Sequence, residues 1–139
     1  MNRFLKHAGI ACAALGVYTS CLAYDCNDSE TYRNGRRELD LVRQSYTAHL
    51  GTAVAFVQRQ KGVDFDSALK QVMQTATPSQ TRIYDEQLDA LGARIKPMKP
   101  DSPQACDTLL TLQQQYGDVS RQKIEFIVKL VTGEDSAPR

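Results

Sequence analysis

Tryptophan is absent from this sequence of 139 residues, histidine occurs twice, and glycine and proline are scarce at 8 and 5. Each shortage narrows what the chain can do. No C-x-x-C-H is present for covalent haem attachment, no G-x-S-x-G for a nucleophile elbow, and no glycine-rich loop to cradle a phosphate. The stretch VDFDS, residues 63 to 67, lacks the glycine and the ligand spacing of a calcium loop. Runs of β-branched residues are missing, and apolar residues recur at helical spacing instead. The expectation is an all-α chain that is not an enzyme and holds neither cofactor nor metal.

Long apolar runs are also missing. The longest opening stretch is AGIACAALGVY, from Ala8 to Tyr18, well short of the ~20 apolar residues that span a bilayer. It follows a basic lead with Arg3 and Lys6 and gives way to small residues ending at Ala23. Basic, apolar and small segments in that order read as a secretory signal peptide over residues 1–23. Cleavage after Ala23 puts Cys21 and Ala23 at −3 and −1. The rival reading is a lipid anchor at Cys21, for which the bulky Tyr18 three residues earlier is a poor fit. The C-x4-C pair Cys21 and Cys26 makes a weak metal site, because Cys21 lies in the segment that is removed. The expected location is periplasmic or secreted.

Cleavage removes Cys12 and Cys21 and leaves Cys26 and Cys106. An even count in an exported chain implies a disulfide, and two cysteines allow one connectivity. Loss of Arg3 and Lys6 from 17 basic residues leaves them one short of the 16 acidic ones. Near-neutrality argues against nucleic acid as the partner. The mature chain suits one domain, residues 24–133, followed by a polar tail, 134–139, expected to fray.

Four helices are legible. The first starts near Asn27, which can cap it with Glu30 three residues on, carries the stripe Tyr32, Leu39, Val42, Tyr46, Leu50, Ala53 and Val57, and stops at Gly62. The second is capped by Asp64 and turns Phe65, Leu69, Val72 and Met73 inward. The third opens at Thr77, with Pro78 at its first position and Gln80 at the box position, and its stripe is Tyr84, Leu88, Leu91 and Ile95. After the proline-rich connector KPMKPDSP, Ser102 and Pro103 open the last helix. Its stripe is Cys106, Leu109, Leu112, Tyr116, Val119, Ile124, Ile127 and Val131, ending at Gly133. Both stripes stay in phase across Gly51 and Gly117, which read as bends rather than ends.

The cysteines choose the topology, provided they pair within one chain. Cys26 precedes the first helix and Cys106 lies in the first turn of the last. In an up-down-up-down bundle these would sit roughly 45 Å apart, yet a disulfide needs Cα atoms within ~7 Å. The first and last helices therefore run parallel from one pole. The two shorter helices form a broken antiparallel middle rod, and end to end they would cover roughly 44 Å. The expected fold is an all-α, disulfide-stapled bundle.

Candidate functional residues are few. His49 flanks the first stripe and reads as a half-buried structural histidine, with a haem-ligand pair to Met73 or Met98 as the remote alternative. Asp85 and Asp89 share a helix face and read as a solvated surface. The cluster to single out is YRNGRRELD, where Arg33, Arg36 and Arg37 share a helical face beside Tyr32. Arginine and tyrosine favour protein interfaces, so these four are the candidate partner surface.

The leading expectation is an exported binding protein of inhibitor or immunity type, acting by contact with another protein. A second expectation rests on a resemblance. With its export, its helices and the stretch SPQACD, in which a proline precedes the second disulfide cysteine, the chain resembles in outline the small acid-stress chaperones of the enteric periplasm. That resemblance covers those residues and the general plan, and implies carboxylates whose protonation loosens an interface. A third expectation is a subunit of an envelope or secretion assembly.

Overall fold

Side-chain caps and two glycines set where the helices begin and end. The computed structural model describes residues 24–133. The expected signal segment 1–23, with Cys12, Cys21 and Ala23, and the tail 134–139 lie outside the described residues. Helix α1 spans Glu30–Lys61, α2 Phe65–Thr75, α3 Pro78–Ile95 and α4 Pro103–Thr132, after a short 3-10 turn at Cys26–Asp28.

The cap of α1 differs from the sequence expectation. Asn27 is taken up in the 3-10 turn, where the Asp25 carboxylate accepts both its backbone and its side-chain N–H. Ser29 caps α1 instead, its Oγ accepting the Tyr32 amide at 3.3 Å. The other starts fall where expected. Asp64 accepts the amide and the hydroxyl of Ser67 at 2.9 and 2.8 Å, and Ser102 accepts the Ala105 amide at 3.2 Å. At α3, Gln80 Oε1 reaches back to the Thr77 amide at 2.8 Å. Gly62 and Gly133, at φ 64° and 70°, end α1 and α4 in the left-handed region, where the absence of Cβ removes the penalty. Both long helices run unbroken through Gly51 and Gly117.

Cys26 and Cys106 are joined, with Cα atoms 5.5 Å apart. Beyond the bridge, Gly35 meets Leu110, Arg36 meets Gln113, and Val54 and Val57 share a cluster with Ile127. Residue numbers rise together on both helices, so α1 and α4 are parallel. Helix α3 runs the other way along α4. Tyr84 near its start packs at a tilt against Phe126, with ring centroids 5.9 Å apart, while Ile95 at its end lies near Tyr116.

The middle is broken at Ala76 and Thr77, and its two pieces overlap along α4 rather than adding their lengths. In a straight rod Val72 and Tyr84 would be about 18 Å apart. Here Val72 shares the Ile127 cluster, while Tyr84 packs against the adjacent Phe126. Helix α2 thus folds against the distal ends of α1 and α4. Helix α3 stops about 15 Å short of the disulfide pole, by the ten residues from Cys106 to Tyr116, and the connector after it covers the rest.

Burial concentrates at the two ends. The distal core is Ala53, Val54, Val57, Ala68, Val72 and Ile127. The pole core is Cys26, Tyr32, Cys106 and Leu110 around the disulfide. Helix α2 corrects the expected inward face. Ala68 and Val72 are buried, whereas Phe65 and Met73 are 56% and 43% exposed. Ala68 lets α2 approach α1 closely, and that orientation rotates the bulkier Phe65 and Met73 outward. Between the two cores, no side chain of α1 from residue 36 to 52, or of α4 from 113 to 126, is fully buried.

Candidate interaction site

The four residues singled out in YRNGRRELD take different positions. Tyr32 is buried in the disulfide cluster, since its place three residues after the Ser29 cap turns it toward Cys106. Arg33 folds back, its guanidinium donating to the Asn27 carbonyl and bracing the 3-10 turn. Arg37 is exposed. Arg36 reaches across to α4, where its Nη1 donates to Gln113 Oε1 at 3.1 Å.

Arg36 stands at the head of a groove of about 440 Å³ at mid-bundle. Helix α1 contributes Arg36, Leu39, Asp40, Arg43 and Tyr46 to it. Helix α3 contributes Gly92 and Ile95, and α4 contributes Gln113, Tyr116, Gly117 and Ser120. The groove exists because α1 and α3 both pack on α4 while hardly touching each other. Its floor is kept low by Gly117, where a Cβ would stand 3.3 Å from Leu39. At Gly92 a Cβ would meet nothing within 4 Å, so this wall leaves open space.

The chemistry of the groove is amphipathic. Leu39, Ile95 and the rings of Tyr46 and Tyr116 supply apolar surface, and Tyr116 is 41% exposed. Arg36 and Arg43 supply positive charge. Among the described residues, neither has a carboxylate within 4 Å, Asp40 included. Such a surface can make apolar and ionic contacts at once.

Sequence reasoning reached Arg36 and missed Arg43, Gly92, Ile95 and Tyr116 as members of one site. A signal was available in the seven-residue spacing of Arg36 with Arg43 and of Leu39 with Tyr46. That spacing puts each pair on one helix face. Ile95 and Tyr116 were read as core because they continue their stripes, and only the divergence of α1 from α3 opens them to solvent.

Elsewhere, Asp85 on α3 accepts from Thr81 Oγ1 at 2.8 Å and pairs with Lys123 on α4. The bonds from Lys123 and Thr81 hold its carboxyl below the usual range. This is the one ion pair between helices among the described residues; the others lie within α3 or α4. His49, expected to be half-buried, is exposed on α1, because the stripe there turns Leu50 and Ala53 inward instead. Among the described residues no three His, Cys, Asp or Glu side chains gather as a metal set, and no helix is long and apolar enough to cross a membrane.

No protein-family model, curated protein or solved structure matches this chain.

Proposed function

We propose that this protein is an exported binding module of inhibitor or immunity type, acting by contact with another protein through the groove between α1, α3 and α4. One observation carries the reading. Seventeen consecutive residues of α1, 36 to 52, bury no side chain fully, and five of them, Arg36, Leu39, Asp40, Arg43 and Tyr46, line an open groove with apolar and cationic surface. A helix normally gains its stability by packing one face, so this stretch has the surface of a partner site. The disulfide rigidifies the pole from which two of the three groove helices, α1 and α4, start, and preorganisation lowers the cost of binding. An intrachain disulfide also suits an oxidising compartment, in keeping with cleavage near Ala23.

The test is capture from envelope extract by the oxidised full chain, at neutral and at acidic pH, beside an Ile95→Glu variant. One stoichiometric partner at neutral pH, lost in the variant, supports the reading. A partner retained by the variant moves the site elsewhere. The intact mass of the exported chain reads its N-terminus in the same preparation: Tyr24 first supports cleavage after Ala23, and an acylated Cys21 makes it a lipoprotein.

The Asp85–Lys123 pair favours a second reading, the acid-stress chaperone. It is the sole described ion pair joining α3 to α4, so protonation of Asp85 weakens that junction and can expose the Tyr84–Phe126 contact beneath it. Capture of many unrelated proteins only in acid would replace the first reading with this one.

A further inference from the structure

Two parallel helices line the groove with matching seven-residue spacing. On α1, Arg36 and Arg43 form one pair, and Leu39 and Tyr46 form another. On α4, Gln113 and Ser120 are seven apart, with Tyr116 and Gly117 between them. Side chains repeating at seven residues on two parallel helices form a seam into which a further helix can pack its own knobs. From Arg36 to Tyr46 the seam is about 15 Å long, or roughly three turns of a helix.

We infer that the groove docks an acidic amphipathic helix of a partner protein, with carboxylates seven residues apart that meet Arg36 and Arg43. The inference rests on the contact reading above and names its occupant. Arg36 and Arg43 are separated by about 10.5 Å along α1, and carboxylates at i and i+7 of a partner helix lying beside α1 are separated equally. Gln113 already holds the Arg36 guanidinium over the groove at 3.1 Å, so less side-chain freedom is lost on binding.

Asp40 makes the recognition selective. It lies between the two arginines, four residues after Arg36 and three before Arg43, and repels a third carboxylate at the centre of the partner helix. The partner therefore presents an apolar residue at i+3, against Leu39 and Tyr116, and a lysine at i+4, opposite Asp40. Such a pattern is a helix-in-groove mode in which the apolar face supplies affinity and the flanking charges fix register. The open space at Gly92 admits the partner backbone between α1 and α3, over α4.

The probe is a synthetic helical peptide of about 20 residues with glutamates at i and i+7, leucine at i+3 and lysine at i+4. A second peptide has all three charges reversed. Binding of both to the oxidised full chain is read by fluorescence anisotropy, with far-ultraviolet circular dichroism confirming that each variant folds. The acidic peptide is expected to bind at least about tenfold tighter than the reversed one. The Arg36→Glu/Arg43→Glu double variant inverts that order, and Arg33→Glu/Arg37→Glu leaves it unchanged.

Equal binding of the two peptides, binding of neither, or an order that survives the double variant overturns the inference. So does self-association of the chain that the double variant abolishes, which would give the groove to a second copy. A captured partner that depends on Ile95 but contains no acidic helix would leave the contact reading standing and remove this one alone.

Discussion

Gly35 of α1 lies so close to Leu110 of α4 that a Cβ on Gly35 would stand 2.5 Å from Leu110 Cδ2 and 3.0 Å from its Cγ. Leu110 is 7% exposed and packs on Cys26, Tyr32 and Cys106. The glycine is thus what allows two parallel helices to approach beside the disulfide. A helical glycine ordinarily costs about 1 kcal/mol relative to alanine, and here the close packing is what is gained in return.

Glycine-to-alanine changes on α1 are therefore expected to have opposite signs. At Gly51 a Cβ meets nothing within 4 Å, so Gly51→Ala should stabilise the fold by about 0.5–1 kcal/mol. At Gly35 the new methyl displaces Leu110, and overpacking of about 1–3 kcal/mol outweighs the gain in helix propensity. Urea midpoints of the two variants against the parent chain check the pair.

The disulfide closes a loop with a sequence separation of 80. In the chain-entropy model such a loop stabilises the fold by about 4.5 kcal/mol, a large fraction of the ~5–15 kcal/mol typical of a domain. Cys26→Ser/Cys106→Ser should lower the urea midpoint accordingly, and the loss should show first as proteolysis of the 3-10 turn and the start of α4.

Acid should act at the α3–α4 junction. The Asp85 carboxyl lies below its ordinary value of 3.8, held there by Lys123 and Thr81. A carboxyl lowered in the folded state contributes stability above its unfolded pKa and loses it as pH falls through the folded one. Asp64, lowered by its cap bonds to Ser67, acts in the same direction. Stability should fall below about pH 4, and Asp85→Asn should flatten that fall while being less stable than the parent at pH 7. Denaturation midpoints at pH 3 and pH 7 measure it.

The orientation of α2 can be tested by substitution. Val72 is fully buried and Met73 is 43% exposed. Val72→Ala should cost about 2 kcal/mol, whereas Met73→Ala should stay within about 0.5 kcal/mol. Thermal melts of the two variants distinguish this face from the reverse one.

Removal of the α4 cap is a local test. Ser102 Oγ accepts the Ala105 amide beside the disulfide. Ser102→Ala should cost about 1 kcal/mol, and Ser102→Asp should recover most of it, as read by the same melts.

Helix number, most boundaries and the parallel pairing of α1 with α4 were legible because each rests on local or covalent chemistry. Thr77-Pro78 and Ser102-Pro103 announce helix starts whatever surrounds them, Gly62 and Gly133 announce ends, and Cys26 and Cys106, the two cysteines that the expected cleavage leaves, admit one bridge. The stripes also marked the core positions Ala53, Val57, Val72, Cys106, Leu112 and Ile127.

Tertiary packing decided the rest, because periodicity states which residues share a face and not what that face meets. The stripe of α2 is compatible with two rotations differing by one position, and the close fit of Ala68 against α1 selected the one that exposes Phe65 and Met73. The overlap of α2 with α3 depends on how far a chain turns at Ala76 and Thr77, a backbone angle that no composition encodes. The groove lies one step further from the sequence. Arg36, Tyr46, Ile95 and Tyr116 are distant along the chain and read separately as surface or core, and they become one site only because α3 follows α4 and diverges from α1.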